Sequence, residues 1–496
     1  MAYRYVFENL DNHPLGENNC SRRYHTHPYW CKMNTAVGYL LGVCMKKIEF
    51  YFGDERLIPT SGIATVGTIL GNAGFTKHFN KTDISPKRSG HQIKNGDIFT
   101  TCIAIQCMGK PDFETANELL EDPEFYQAAL GIESRIPSEE LLQLRMDAIG
   151  SSFRNKLLAA NINVLKSNGA KPTKLPYGHV PVDIDVTPCD NSKTKKEGIS
   201  RTYKGCDGYA PIMAYIGREG YLVDAELREG KQHSQKHTPE FLRELIPLCR
   251  ELTDEPLMFR MDSGNDAVEN IGILLEHHCD FIIKHNLRKE SPQEWLALAK
   301  RESENVTKPR DGKEVYIGSV DREISYTDAA GEKHTASVRI VYEITERSID
   351  KKGQYLLPHD IEVNAFWTSL SFSDEDVIEH YHAHGESEQF HSEIKHDMDM
   401  ERFPSGKFET NELFLELGMI TYNILRMIGQ AINGGHDAPM KRKTRRRRIR
   451  TVILNIIHAP VHVTQHARRL RASLGKSNAW ADTFMRVNAS YQFSPA

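Results

Sequence analysis

No stretch of this 496-residue chain approaches the ~18 consecutive apolar residues of a membrane-spanning helix. Its opening, "MAYRYVFENLDNHPL", has neither the basic nor the apolar segment of a secretory signal. A cytoplasmic protein without a membrane partner is therefore expected. The nine cysteines are odd in number and scattered, with no C-x-x-C, which disfavours a disulfide framework. Cys20, His25, His27 and Cys31 lie close together, but their irregular spacing fits a polar loop better than a zinc site. G-x-x-x-x-G-K-[ST] is missing, so nothing supports ATP-driven chemistry. G-x-S-x-G and H-E-x-x-H are missing too, which leaves serine-hydrolase and zincin readings without an anchor.

Charge, by contrast, is plentiful and unevenly placed. The formal net charge of -4 hides an acidic stretch at 373–401 and a basic one at 441–480. The latter carries twelve Lys or Arg and no Asp or Glu, and "KRKTRRRRIR" packs eight basic residues, Arg445, Arg446, Arg447 and Arg448 among them, into ten. Such blocks bind polyanions, because neutralising phosphates releases their counterions. A solvated tail or a localisation signal is the plainer alternative. The run continues into the amphipathic "TVILNIIHAPVHVTQHARRL", which favours nucleic acid and reads as a basic helical tail.

The chain divides by pattern into four regions. Residues 1–112 are expected to form an N-terminal DNA-binding region. Within it, "IPTSGIATVGTILGNAGFTKHF" reads equally as a helix-turn-helix or as two plain packing helices. Residues 113–174 are helical and connecting. From 175 to 430, strands alternate with helices ("GHVPVDIDVTP", "PLMFRMD", "DFIIKHN"), the rhythm of a mixed α/β sheet. A polar, β-rich segment at about 304–356 interrupts that rhythm as an insertion. Residues 431–496 form the basic tail. The fold class expected is multi-domain α+β.

Two of these strands end in acid. "VDIDVTP" carries Asp183 and Asp185, and "LMFRMDSGND" carries Asp262 with Asp266 a turn later. Carboxylates are hard oxygen ligands suited to Mg²⁺ or Mn²⁺. A third carboxylate on a helix facing the sheet would complete a two-metal site, with ions ~3.5–4 Å apart clamping a phosphoryl transfer.

"YHAHGESEQFHSEIK" offers three candidates for that third acid, Glu386, Glu388 and Glu393. With Tyr381 as zero, a regular helix puts His384 at about 300°, Glu388 at about 340° and Lys395 at about 320°. Glu386 and Glu393 fall at about 140° and about 120°, on the other side. Only Glu388 shares a stripe with an aromatic and a basic residue. By itself such a polar stripe would be no more than a solvated face.

Tyr381-x2-His384-x3-Glu388-x6-Lys395 resembles the Tyr-x2-Arg-x3-Glu-x6-Lys signature of bacterial insertion-sequence transposases with an Asp-Asp-Glu, RNase H-like core. "DIDVTPCDNSKTKKEGISRTYKGCDGYAPIMAYIG", "RMDSGNDAVENI" and "ERFPSGKFETNELFLELGMITYNILR" resemble the branch called DDE domain group 1 transposases. The resemblance runs from roughly 60 to 470. It implies an RNase H-like catalytic core split by the β-rich insertion, and cut-and-paste transposition as the activity. It implies that Asp185, Asp262 and Glu388 bind two Mg²⁺ (or Mn²⁺) ions, with Asp183 as competitor for the first place. It also implies that Tyr381, His384 and Lys395 contact the DNA backbone. Partners would be double-stranded DNA, as terminal inverted repeats and target, and a second copy of the chain, joined free or on the DNA.

One position departs from the signature. Histidine at 384 is only partly charged near neutrality and cannot form arginine's two-pronged phosphate contact. A catalytically decayed, DNA-binding copy is the alternative this raises. Trp295, Tyr316 and Tyr326, in or beside the insertion, are candidates to stack on an extruded base, although packing is the plainer reading of each.

Overall fold

After a short strand β1 (Leu57–Ile58), helix α1 (Ile63–Asn72) buries Ile63, Val66, Ile69 and Leu70, a spacing that gathers apolar side chains on one face. Gly67 lets that face press on the helix Pro123–Leu130, since a Cβ there would stand 1.9 Å from the Ala129 carbonyl oxygen. Helix α2 (Phe75–Lys81) sends Phe75 and Phe79 into a ring cluster with Phe99 and Phe153, centroids 4.8–5.8 Å apart. Both helices bury their apolar faces, as either a helix-turn-helix or a plain packing pair requires. Helix α3 (Asn95–Cys107) is buried at every position, and α4 (Arg154–Ser167) follows in the same helical layer.

The chain is described here from a computed structural model covering residues 48–82, 92–442, 444–467 and 469–492. Cys20, His25, His27 and Cys31 lie outside the described residues. Contacts divide the chain at Asp54, and every element named here belongs to the compact unit Glu55–Ala496.

The sheet begins with β2 (Val180–Val186), β3 (Ile212–Ile216) and β4 (Tyr221–Glu226). Helix α5 (Thr238–Leu252) leads to β5 (Leu257–Met261), α6 (Val268–Glu276) to β6 (Asp280–Lys284), and α7 (Pro292–Glu302) to β7 (Asn305–Arg310). Three long strands complete it: β8 (Lys313–Thr327), β9 (Lys333–Ile349) and β10 (Tyr355–Thr368). The order is β7-β8-β9-β10-β6-β5-β2-β3-β4. Strand β2 runs parallel to β5 and β5 to β6, whereas the other neighbours are antiparallel. The central strands are covered on both faces and read as continuous apolar runs.

The β-rich insertion is therefore an extension of the core sheet. Its last strand continues past 356 to Thr368, where Phe366, Trp367 and Thr368 pair with Lys284, Ile283 and Ile282 of β6. Trp295, Tyr316 and Trp367 are buried in this region. Trp295 donates to Glu290 (2.8 Å) beneath the Arg322 guanidinium, while Tyr326 stacks on His334 and covers Gly272. All are packing residues here.

Helix α8 (Asp374–His382), capped by Ser373, passes through a tight 3₁₀ turn at Ala383–Gly385 into α9 (Glu386–Ser392), and then into a π-helical turn at Glu393–Asp397. The long helix α10 (Phe408–Asn433) packs on β4, α3 and α4. At its contact with β4, Arg154 lies 2.9 Å from Asp224 and 3.5 Å from Glu416, two fully buried acids sharing one guanidinium.

The basic tail is helical only in part. Strands β11 (Val461–His466) and β12 (Arg469–Leu474) form a hairpin on β1, followed by α11 (Ala481–Gln492). Pro460 and the alternating "VHVTQH" end the amphipathic helical pattern at Ile457 and impose period two instead.

Candidate active site

Register on two neighbouring parallel strands explains how the acids are sorted. Asp183 of β2 stands opposite Arg260 of β5, and Ile184 opposite Met261. Side chains repeat every two residues along a strand, so Asp185 and Asp262 follow on the same face, one pleat nearer the strand ends. The Asp183 carboxylate is held by both Arg260 Nε (2.6 Å) and Nη2 (2.7 Å), and faces His384 Nδ1 at 2.9 Å. Burial opposes its charge, yet Arg260 and His384 outweigh burial and hold its pKa below the usual carboxylate range. Its oxygens are already in use.

Asp185 is differently placed. Its Oδ1 accepts from the Val186 N–H (2.7 Å), while Oδ2 lies 3.3 Å from His391 Nε2. Burial again opposes the charge, and His391 keeps the pKa low. Asp262 caps the 3₁₀ turn Ser263–Asn265, accepting from the Gly264 N–H (3.1 Å) and Asn265 Nδ2 (2.9 Å). Its pKa is raised by burial and by the neighbouring charge of Asp185. The two carboxylates thus repel each other, and His384 offsets part of that repulsion. Asp266 is engaged elsewhere, accepting from His285 and the Asn286 N–H.

Asp185 and Asp262 line one cavity of about 630 Å³ with Glu388, Tyr381, His384 and Lys395. Glu388 has no hydrogen-bond or ion-pair partner among the described residues. Tyr203 and Lys204 close another side, with the Tyr203 hydroxyl on the Val186 carbonyl (3.0 Å). Burial and the two aspartates push the Tyr203 and Tyr381 hydroxyls up, so both remain protonated donors. Lys395 donates to the Pro188 carbonyl from the π turn.

The other two glutamates turn away. Glu393 forms a fully buried ion pair with Arg426, and Glu386 pairs with Arg445. Their partners explain what the basic run does. Arg446 lies 4.2 Å over the Phe390 ring and donates to Gln389; Arg447 is buried and donates to Met440 Sδ; Arg448 grips Asp397 with Nε and Nη2. The expectation that Arg445, Arg446, Arg447 and Arg448 lie on DNA thus meets a different arrangement. Glu386, Gln389 and Phe390 of α9, Asp397 of the π turn and Met440 engage these guanidinium groups, while Arg445 and Arg448 remain about half exposed.

His391 was not singled out from the sequence. It accepts or donates at Tyr215 Oη (3.1 Å) through Nδ1 and meets Asp185 through Nε2. The Glu388-x2-His391 spacing, one helical turn, is the signal that could have found it. A second acidic group, Asp328, Glu332 and His334, sits at the β8–β9 turn, where Asp328 accepts the turn's own N–H groups and His334.

A family model described as "Transposase DDE domain group 1" matches residues 43–495. The chain belongs to this transposase family. Its large mixed sheet, with helices packed on it and a β-rich extension, is the α+β architecture expected. Among solved structures, this transposase-family chain is similar to one described as "Cryo-EM structure of piggyBac transposase synaptic complex with hairpin DNA (SNHP)". The identity is 9%, the coverage 81% of this chain and 80% of that one, and the TM-score 0.37. No curated protein sequence matches it. No helix among the described residues of this family member is long and apolar enough to cross a membrane.

Proposed function

We propose that this chain cuts DNA at the ends of a transposable element and joins the freed 3′-hydroxyl to target DNA. The observation that carries the reading is the convergence of Asp185, Asp262 and Glu388 on one cavity, with no ion pair to Asp262 or Glu388 among the described residues. These hard oxygen donors, two of them in mutual repulsion, fit divalent cations, so the three would hold two Mg²⁺ or Mn²⁺ ions. Bound there, the ions would supply an acidified water and neutralise charge on the departing oxygen.

The chain's own groups do the rest. Lys395 and Lys204 stand at the cavity to hold a phosphate, and the Tyr381 hydroxyl donates a hydrogen bond to its oxygens, while Tyr203 stays on the Val186 carbonyl. His391, itself on the cavity wall, holds Asp185 through Nε2. Two element ends must be cut, so a dimer assembled on DNA is the acting form, with inverted repeats and target as its partners.

A DNA-binding copy without catalysis is the second reading, favoured by His384. Its Nδ1 is spent on Asp183, where the family signature has a fixed arginine charge. Cleavage of a labelled duplex bearing the terminal repeat, by wild type and by Glu388→Gln, separates the two. Metal-dependent nicking is expected, reduced ~10³-fold or more in Glu388→Gln, as the loss of several kcal/mol of charge stabilisation requires. Equal nicking by both would remove Glu388 from the site. Tight binding without nicking would establish the second reading.

A further inference from the structure

The basic segment has a second half that the Glu388 helix does not absorb. In the hairpin β11–β12, His462 stands opposite Ser473, Thr464 opposite Arg471 and His466 opposite Arg469. These six residues alternate with the inward ones, so they form one face, and all six are exposed. The opposite face is anchored: Val461 and Val463 are buried, and Leu470 and Leu474 pack on the core. The base is tied to β1 through Val461 and His462, and Gln465 donates to Glu124 at 2.8 Å. The ribbon is thus fixed to the body on one side and presents the other to solvent.

Neither Arg469 nor Arg471 has an acidic partner among the described residues, in contrast to Arg445 and Arg448, which each have one. The sequence contains no Asp or Glu between Asp437 and Asp482. Charges on an edge strand also guard against edge-to-edge pairing. That purpose is served by either sign, however, and here one sign is used throughout. A two-stranded antiparallel ribbon is also of a size that enters the DNA major groove.

We propose that the outer face of this ribbon, through Arg469 and Arg471 with His462 and His466 beside them, is a binding surface for the phosphate backbone of duplex DNA. It rests on the transposase reading only in taking duplex DNA as the polyanion. It is separate in its residues from the acidic cavity and positions DNA without touching the reacting phosphate.

The test is the salt dependence of binding of the full chain to a short random-sequence duplex, measured by fluorescence anisotropy over a KCl series. Each phosphate contact contributes about 0.9 to the slope of log K against log salt. Arg469→Ala with Arg471→Ala is expected to lower that slope by about 1.8, and Ser473→Lys to raise it by about 0.9. A rise of that kind has no explanation in folding. Unchanged slopes in both variants, with wild type binding the duplex, would overturn the ribbon surface while leaving the transposase reading in place. Failure of wild type to bind any duplex would overturn both. Slopes that change with heparin but not with the duplex would assign the ribbon to another polyanion and overturn it as a DNA surface.

Discussion

Two regions of this molecule hold more carboxylates than cations, and they deal with the surplus differently. Beside α10, Asp224 and Glu416 share the guanidinium of Arg154, and both acids are fully buried. Burial there outweighs the arginine, raising Asp224 to about 6 and Glu416 to about 8. The surplus is removed by protons, and the network holds the sheet to its helix. In the cavity, Asp185, Asp262 and Glu388 open onto a space of about 630 Å³ that small cations can enter. The difference teaches that an unpaired acid in a fold is not in itself a sign of chemistry. Access to solvent and to cations separates a structural surplus from one that can work.

The largest expected effect sharpens the comparison at its paired extreme. Asp183→Asn leaves Arg260 buried against a neutral partner, and removing one member of a buried pair costs about 3–5 kcal/mol. A urea midpoint lowered accordingly, with Mn²⁺ affinity retained, is expected. An unchanged midpoint with lost metal binding would make Asp183, not Asp185, the working aspartate.

Next comes the proton-neutralised region. The folded pKa of Glu416 lies above that of the unfolded chain, so the folded state binds the extra proton. Its contribution is fully present below about pH 4.5 and is lost as pH rises towards about 8. Between pH 6 and 8 wild type should lose about 2 kcal/mol of stability, and Glu416→Gln should flatten that dependence. Parallel curves for the two proteins would break the comparison.

The smallest effect concerns the cavity's own support. His391→Ala removes the group that holds Asp185, and loss of such a partner weakens metal binding about 10–100-fold. Calorimetric titration with Mn²⁺ reads it directly, with the thermal transition followed alongside because His391 is buried on Tyr215. An unchanged affinity would mean that Asp185 needs no partner.

Much of the cavity's composition could be read before its shape was known. Asp185 and Asp262 announce themselves as acids at the ends of apolar strands, and Tyr381, Glu388 and Lys395 by their spacing. The regular helix used to place those three residues is not what forms. A 3₁₀ turn overwinds it at Ala383–Gly385, a π turn unwinds it at Glu393–Asp397, and the opposite distortions leave all three facing the same cavity. What the sequence could not supply was partnership. Eight basic residues in ten look the same whether they meet phosphate or, as with Arg445 and Arg448, carboxylates brought near by the fold. Nor could a local pattern show that the β-rich segment joins the core sheet, because the pairing of Phe366 with Lys284 links residues far apart in the chain.

The length of that segment's strands has a practical consequence. Strand β9 has 17 residues, a span of roughly 55 Å, yet β10 is stitched to β6 by three residue pairs at its end. The far turn, Asp350–Gln354, is exposed and closed by its own hydrogen bonds. A reporter peptide or fluorophore spliced between Lys352 and Gly353 would ride at the tip of a stiff boom, giving imaging and labelling studies a handle that leaves the sheet's pairing intact.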